Sequence, residues 1–177
     1  MLTKIGNHEF EVLTGKITND SYSTTIKKLA LLNPAQKTGN EGFVQVVPAR
    51  LCAGYNHVFF ALEHALSALD AGTAFSRKPE LEFLIHFFGE KQLGRAIEKA
   101  RFSDGEDLVL IVNAGKSASD AAKELGFAEK KIQIGKNADE LMGFYGITKP
   151  ELETAGDLQS PLERLVVEKC AFVALER

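Results

Sequence analysis

The sequence predicts a single α/β domain in which a small mixed or antiparallel sheet is flanked by helices. The chain has 177 residues, 45% of them hydrophobic, which suffices for one domain, residues 1–177, with a substantial core. Residues 81–88 and 108–112 are largely apolar on both faces of an expected strand, which is typical of central strands that helices cover. Residues 58–69 repeat apolar side chains at helical spacing, which predicts a helix with one buried face.

The N-terminal part predicts a strand, a helix and a second strand. Residues 10–17 alternate loosely between apolar and polar, as a strand does. Side-chain oxygens at the start of residues 19–32 are suited to cap a helix. The polar, turn-rich stretch 33–42 predicts a flexible loop. Residues 43–47 predict the second strand, which Pro48 closes.

The middle of the chain predicts a helix that ends near Gly72, followed by a strand over residues 81–88. Gly89 then predicts a turn into a helix that reaches Ala100. Residues 108–112 predict a further buried strand.

The last third of the chain is predicted to be mainly helical. Ser117 and Asp120 resemble a capping box, and this helix is expected to end at Gly126. Residues 131–134 predict a short edge strand whose lysines discourage further pairing. Thr148 with Glu151, and Ser160 with Pro161 and Glu163, predict two more helix starts. Residues 171–175 are compatible with a continuation of the last helix or with a final strand.

Charge and cysteine content exclude several function classes. With 24 acidic and 21 basic residues, the net charge of −3 provides no overall nucleic-acid footprint, so RNA contact is expected to be local. Cys52 and Cys170 are too few for a disulfide framework or a zinc cluster, and we expect them to be buried in a reducing cytoplasm. We find no membrane-spanning run and no signal-peptide core, and we expect no membrane contact.

No catalytic motif is complete. Gly89 and Gly94 have the spacing of a phosphate-binding loop, but Arg95 and Ala96 follow where lysine and a hydroxyl residue are required. Around Gly115 the first glycine of that motif is missing. A small phosphate- or nucleotide-binding enzyme that uses the turn at Gly89 or Gly115 nevertheless stays open as an alternative.

The histidines do not form a recognisable metal site. His57 and His64 lie about 10 Å apart along one helix at 1.5 Å per residue, too far to chelate one ion as a pair. We expect these two and His86 to be hydrogen-bonded structural histidines. No metal or cofactor is expected.

The predicted helix after Gly89 carries cations every four residues, at Lys91, Arg95 and Lys99. Such a stripe suits contact with a few phosphates, although a solvated helix face has the same pattern. Arg77 and Lys78 add two adjacent cations before the preceding predicted strand.

A dispersed set of residues resembles the small kinase-binding subunit of the KEOPS (EKC) complex, the Cgi family, in its archaeal form. The matching residues are Ala53, Gly54, His57, Ala61, Arg77, Glu82, Phe83, Leu84, Gly89, Gln92, Ala96 and Ile97, with the runs 64–69 (HALSAL) and 160–175 (SPLERLVVEKCAFVAL). The resemblance implies an α/β fold and a non-catalytic subunit that binds the complex's small atypical kinase/ATPase. It also implies help in capturing tRNA, particularly its 3′ end, for threonylcarbamoyladenosine synthesis by other subunits. The first forty residues depart from the family pattern.

The resemblance and the cation pattern together indicate a local tRNA-binding surface. We expect it to comprise Arg77, Lys78, Lys91, Gln92 and Arg95, with Gln92 able to hydrogen-bond an RNA edge or phosphate. For the kinase we expect a helix face with few charges, either that of residues 57–69 or that of the C-terminal helix.

Overall fold

An antiparallel sheet lies between two layers of helices. The computed structural model describes residues 1–5, 8–33, 42–113, 117–156 and 160–175. In these ranges the strands are β1 (Leu2–Ile5), β2 (His8–Ile17), β3 (Val44–Pro48), β4 (Asp107–Asn113) and β5 (Phe127–Glu129). Their order is β1-β2-β4-β3, with β5 pairing the far end of β2, and every pairing is antiparallel. The predicted α/β fold with a helix-flanked sheet is confirmed.

The helices account for most of the remaining described residues. They are α1 (Tyr22–Leu32), α2 (Tyr55–Asp70), α3 (Pro79–Phe88), α4 (Leu93–Lys99), α5 (Ala118–Leu125), α6 (Ala138–Tyr145), α7 (Lys149–Thr154) and α8 (Pro161–Leu175). A short 3₁₀ turn, Ala49–Leu51, follows β3.

The central strand β4 is buried on both faces, as its continuous apolar run predicted. Val109 and Ile111 pack into the core shared with α2 and α3. Leu108, Leu110 and Val112 pack on the opposite face, in the core shared with α1 and α5. A third apolar cluster joins α6 and α8 to the segment that precedes α2. Helices therefore cover both faces of the sheet.

The outer edge of β3 is closed by side-chain amides. Asn33 donates from Nδ2 to the Val44 carbonyl at 2.7 Å and accepts from the Val44 amide at 2.8 Å. The Val46 amide donates to Oε1 of Gln45 at 2.9 Å. Pro48, the next residue on that edge, has no N–H to offer. A further strand therefore finds few free backbone groups here.

Most predicted element boundaries are confirmed. Ser21 caps α1, Ser117 caps α5, and Thr148 with Glu151 forms a full capping box at α7. Residues 171–175 continue α8 rather than forming a strand. The predicted flexible loop 33–42 lies outside the described residues except at its two ends.

One prediction was wrong in a way that changes the site: residues 81–88 form a helix, α3, and not a strand. Pro79 occupies the first turn, Glu80 and Glu82 lie near the positive end of the helix dipole, and Gly89 ends the helix in the left-handed conformation at φ 59°. A helix buried on nearly all sides has the same continuous apolar composition as a buried strand.

The predicted edge strand at 131–134 was also wrong. The strand that pairs there is β5, which ends at Glu129. Past it, the Lys130 amide still donates to the Thr14 carbonyl at 2.8 Å, and the amide of Ile132 donates to the side-chain Oγ1 of Thr14 at 3.2 Å. The hydroxyl of Thr14 in turn donates to the Lys130 carbonyl at 2.7 Å.

Candidate functional site

An apolar groove opens between α1, β3, α3 and α4. Its cavity volume is about 200 Å³. Ile26 of α1 and Ile97 of α4 lie on either side of it and are 42% and 41% exposed. The remaining walls include Tyr22, Leu29, Val46, Leu81, Leu84 and Phe102. The groove therefore offers solvent-accessible apolar surface.

The polar groups of the groove are largely engaged in holding its walls. The amide of Asn33 is bonded to Val44, as described above, and Nε2 of Gln45 donates to the Glu80 carbonyl at 3.1 Å. Lys78 lines the groove and is exposed. A positive charge thus stands beside an apolar recess.

Aromatic rings form one end of the groove. The Tyr22 ring meets Phe102 edge-on, with centroids 5.0 Å apart. The Arg101 guanidinium lies 5.6 Å from the centre of the Tyr22 ring, within cation–π range. Asp104 accepts from the Tyr22 amide at 2.9 Å. These contacts fix the first turn of α1 next to a second cation.

The buried carboxyl group of Glu82 anchors the loop that carries Arg77 and Lys78. Oε2 of Glu82 accepts from the Ser76 amide at 2.8 Å, and Oε1 lies 3.2 Å from Nε2 of His86. The side chains of Glu82 and His86 have no solvent exposure. The Ser76 hydroxyl accepts from the Lys78 amide at 3.2 Å. Arg77 and Lys78 themselves are exposed.

The five predicted tRNA-contacting residues do not line one pocket. Lys78 lines the groove, with Arg77 next to it in the chain, whereas Arg95 lines a separate depression with Arg50 and Lys99. That depression also holds Glu90 and Glu98, so its charge is mixed.

The predicted basic stripe is not a stripe on one helix, because α4 starts only at Leu93. Lys91 precedes α4, and Gln92 is its N-cap residue, whose side chain makes no capping bond. Lys99 forms an ion pair with Glu90 at 3.2 Å and lies over the Phe144 ring. This prediction was wrong because it extended the helix back to Gly89.

The glycine turn at Gly89 does not have the geometry of a phosphate-binding loop. Such a loop joins a strand to a helix N-terminus, whereas Gly89 ends a helix. A Cβ placed on Gly89 would lie 3.2 Å from the Cα of Cys170, so the residue also permits close packing against α8. Gly115, the other proposed turn, lies outside the described residues.

His57 is a structural histidine, as predicted. Its Nδ1 accepts from the Ala53 amide at 3.3 Å, so Nε2 carries the proton and donates to the Phe87 carbonyl at 2.8 Å. Burial lowers the pKa of His57 to about 4, which keeps the ring neutral at pH 7. His86 is also hydrogen-bonded and buried, as expected. Across the described ranges, no three His, Cys, Asp or Glu residues are placed to hold a metal ion.

The carbonyl oxygen of Phe87 joins three helices to the end of α3. Its donors are Nε2 of His57 at 2.8 Å, the hydroxyl of Tyr145 at 3.3 Å and the thiol of Cys170 at 3.4 Å. Burial raises the pKa of the Cys52 and Cys170 thiols to about 12, so both stay protonated, as expected of buried cysteines.

A second buried carboxyl group, which the sequence did not reveal, caps α2. Oε1 of Glu163, on α8, accepts from the amides of Asn56 at 2.7 Å and His57 at 3.3 Å. A Cβ on Gly54 would lie 2.0 Å from this oxygen, so the glycine leaves room for the carboxyl group. The sequence predicted Glu163 only as part of a helix start, since nothing local indicates a contact with a helix a hundred residues earlier.

Comparison with known proteins assigns no family. No family model matches the chain, and no curated protein matches it. Within the residues that the structure describes, none of the helices has the length and apolar character needed to cross a membrane.

Proposed function

We propose that this chain is a non-catalytic, cytoplasmic subunit of the KEOPS complex that binds the small kinase/ATPase of that complex. In this role it helps recruit tRNA, through its 3′ end, for threonylcarbamoyladenosine modification, while catalysis belongs to other subunits. The observation that carries the tRNA part is the apolar groove with exposed Lys78 beside it and Arg77 next in the chain.

An unpaired RNA end fits the chemistry of this groove. Its bases are unstacked and present flat apolar faces, which aromatic and aliphatic side chains accept. Tyr22, Ile26 and Ile97 supply such surfaces. Lys78 and Arg101 supply positive charge for the phosphates between the bases. A duplex, whose bases are stacked and paired, has no base free to enter.

For the kinase, we favour α8 over α2, the other helix face expected from the sequence. Most apolar residues of α2, such as Val58 and Leu62, are buried in the core and unable to contact a partner, and Phe59 and Phe60 are only half-buried. On α8, Phe172 is 50% exposed and Leu165, seven residues earlier on the same face, is half-buried. We place the kinase contact on this face.

Binding of tRNA tests the groove. Lys78→Glu should weaken binding at low salt and reduce the slope of log affinity against log salt by about 0.7 for each phosphate that the chain no longer neutralises. Lys149→Glu, the same charge change on exposed α7, is the matched control. A tRNA that lacks its unpaired 3′ nucleotides should bind the unaltered chain weakly. Its affinity should equal the affinity of full-length tRNA for Lys78→Glu. Equal affinities of the two variants, or indifference to the 3′ end, would overturn the groove assignment.

Copurification with the kinase tests the proposed kinase contact on α8. Phe172→Glu should abolish the complex at micromolar concentrations, because a charge would be placed within an apolar contact. Arg164→Glu, at an exposed position of the same helix, should leave it intact. Magnesium-dependent ATP binding by the isolated chain would instead favour the nucleotide-binding enzyme and contradict a non-catalytic role.

A further inference from the structure

The buried carboxyl group of Glu82 is in an unusual place for an acidic side chain. Glutamate is almost never fully buried unless it is paired, because removing it from water is costly. Yet Glu82 has no solvent exposure and lies in α3 among apolar neighbours such as Phe83 and Ile85. The hydrogen-bond partners of Glu82 therefore indicate its role.

Hydrogen bonds connect Glu82 to the backbone of the loop that carries the exposed cations Arg77 and Lys78. Its Oε2 accepts from the Ser76 amide, and the Ser76 hydroxyl accepts from the Lys78 amide. On the other side, Nε2 of His86, one turn along α3, fixes Oε1. The chain of contacts thus runs from the core, through buried Ser76, to the backbone of Lys78, which lines the groove.

The rest of this loop is fixed independently at its start. The Thr73 amide and hydroxyl both donate to the Ala68 carbonyl, at 2.9 and 3.4 Å, which ties the loop to the last turn of α2. At the other end Pro79 begins α3 and restricts the conformation of Lys78. Between these two points, Glu82 holds the middle of the loop.

From this arrangement we propose that Glu82, braced by His86, is a positioning residue that aims Arg77 and Lys78 at the anionic backbone of the RNA in the groove. This inference rests on the proposed function. The carboxyl group does not contact RNA itself. It fixes the backbone from which the two cations extend, so that less conformational freedom is lost on binding.

The test combines RNA affinity with a direct report on the loop. Glu82→Leu should lower tRNA affinity about tenfold. Adding Lys78→Ala to this variant should lower the affinity much less than Lys78→Ala does in the unaltered chain, because both residues act through the position of the Lys78 side chain. Glu82→Gln keeps an oxygen acceptor for the Ser76 amide and should restore most of the affinity. In amide NMR spectra, the Ser76 signal should shift in Glu82→Leu and stay near its original position in Glu82→Gln.

Glu163→Leu is the matched control for Glu82→Leu, because Glu163 is also a buried carboxyl group that accepts from backbone amides, but at α2. It should change tRNA affinity less than twofold at temperatures where the variant is folded. If Glu82→Leu does not fold, Ser76→Ala decides, because it removes only the hydroxyl that accepts from Lys78; it should lower affinity about threefold.

The possible outcomes distinguish the positioning role of Glu82 from the proposed function on which it rests. Failure of the unaltered chain to bind tRNA would overturn the proposed function and the positioning role with it. Binding that Lys78→Glu weakens, but that neither Glu82→Leu nor Ser76→Ala changes, would overturn the positioning role alone. Additive reductions in affinity in the double variant would also overturn it.

Discussion

Helix α3 and strand β4 are both nearly continuous apolar segments, yet one folds as a helix and the other as a strand. β4 contains three β-branched residues within residues 108–112, and these favour the extended conformation. α3 contains only Ile85 of that type among leucines and phenylalanines, and it has a proline at its start and a left-handed glycine after its end. For buried segments, the termini and the branching of the side chains are more informative than the apolar pattern.

The two segments are also held by different forces. β4 has a backbone ladder on both sides, with β2 and with β3. α3 satisfies its own backbone, so its position depends on side chains that pack against α2, α4 and α8. Truncation of packed side chains should therefore affect α3 more than β4.

The largest expected effect is at Phe87 of α3. Its ring is fully buried and stacks on His57 with centroids 4.2 Å apart, so Phe87→Ala should lower the free energy of unfolding by about 3–5 kcal/mol. Chemical denaturation at pH 7 measures this change. The comparison of α3 with β4 uses Ile85→Val and Ile111→Val, which each remove one methyl group from a fully buried side chain. Both should cost about 0.5–1.5 kcal/mol, with Ile85→Val the more costly. Comparable reductions in stability would mean that packing holds both segments alike.

Acid should weaken the anchor of α3 through His57. Because the pKa of His57 falls from 6.5 to about 4 on folding, the unfolded chain binds more protons between these values. Its contribution to stability is therefore complete above pH 6.5 and lost as the pH falls towards 4, by about 3 kcal/mol in total. The stability difference between the unaltered chain and His57→Gln, followed by denaturation across this range, should shrink accordingly.

Tyr145→Phe provides the control for this pH dependence, because it also removes a hydrogen bond to the Phe87 carbonyl but no group that titrates between pH 4 and 7. Its stability should fall with acid in parallel with that of the unaltered chain. A constant difference between the unaltered chain and His57→Gln from pH 7 to 4 would mean that His57 is not held neutral by burial.

The smallest expected effect concerns the glycines at the two segments. Gly89→Ala should destabilise by about 1–3 kcal/mol, because an L side chain is strained at φ 59° and its Cβ would crowd α8. Gly105, before β4, also has a positive φ of 75° but open space around it, so Gly105→Ala should cost about 1–2 kcal/mol from backbone strain alone. Thermal unfolding of both variants measures the difference, and equal shifts would exclude a contribution from contact with α8.

Features set by neighbouring residues were predictable from the sequence. The caps at Ser21, Ser117 and Thr148 depend on amides three residues away, and all three are present. The central strand β4 was predictable because a continuous apolar run is a local property. The error at α3 arose because burial on all sides removes the periodicity that separates helices from strands.

The candidate site was less predictable because it depends on contacts distant in sequence. Lys78 and Arg95 were predicted to share one basic surface, but they line different depressions, because Lys78 precedes α3 whereas Arg95 is on α4. The groove itself is formed by segments that range from Tyr22 to Phe102. Glu82 belonged to the family likeness, but its bond to Ser76 depends on a loop whose path the sequence did not predict.

The order of strands in the sheet has a consequence for how the chain matures during synthesis. Both β2 and β3 pair with β4. Phe10 of β2 therefore cannot pair with β4 until Asn113 has been synthesised, and Lys16 cannot pair with it until Asp107 has been. At about 5–20 residues per second, a ribosome needs about 5–20 s to advance from β2 to β4. Helices α2 and α3 adjoin in sequence and can associate during this interval, and β2 can pair with β1. The edges of β2 and β3 that pair with β4 stay open until β4 is made. The nascent chain is therefore most exposed to misassociation, and most in need of chaperones, just before its central strand emerges.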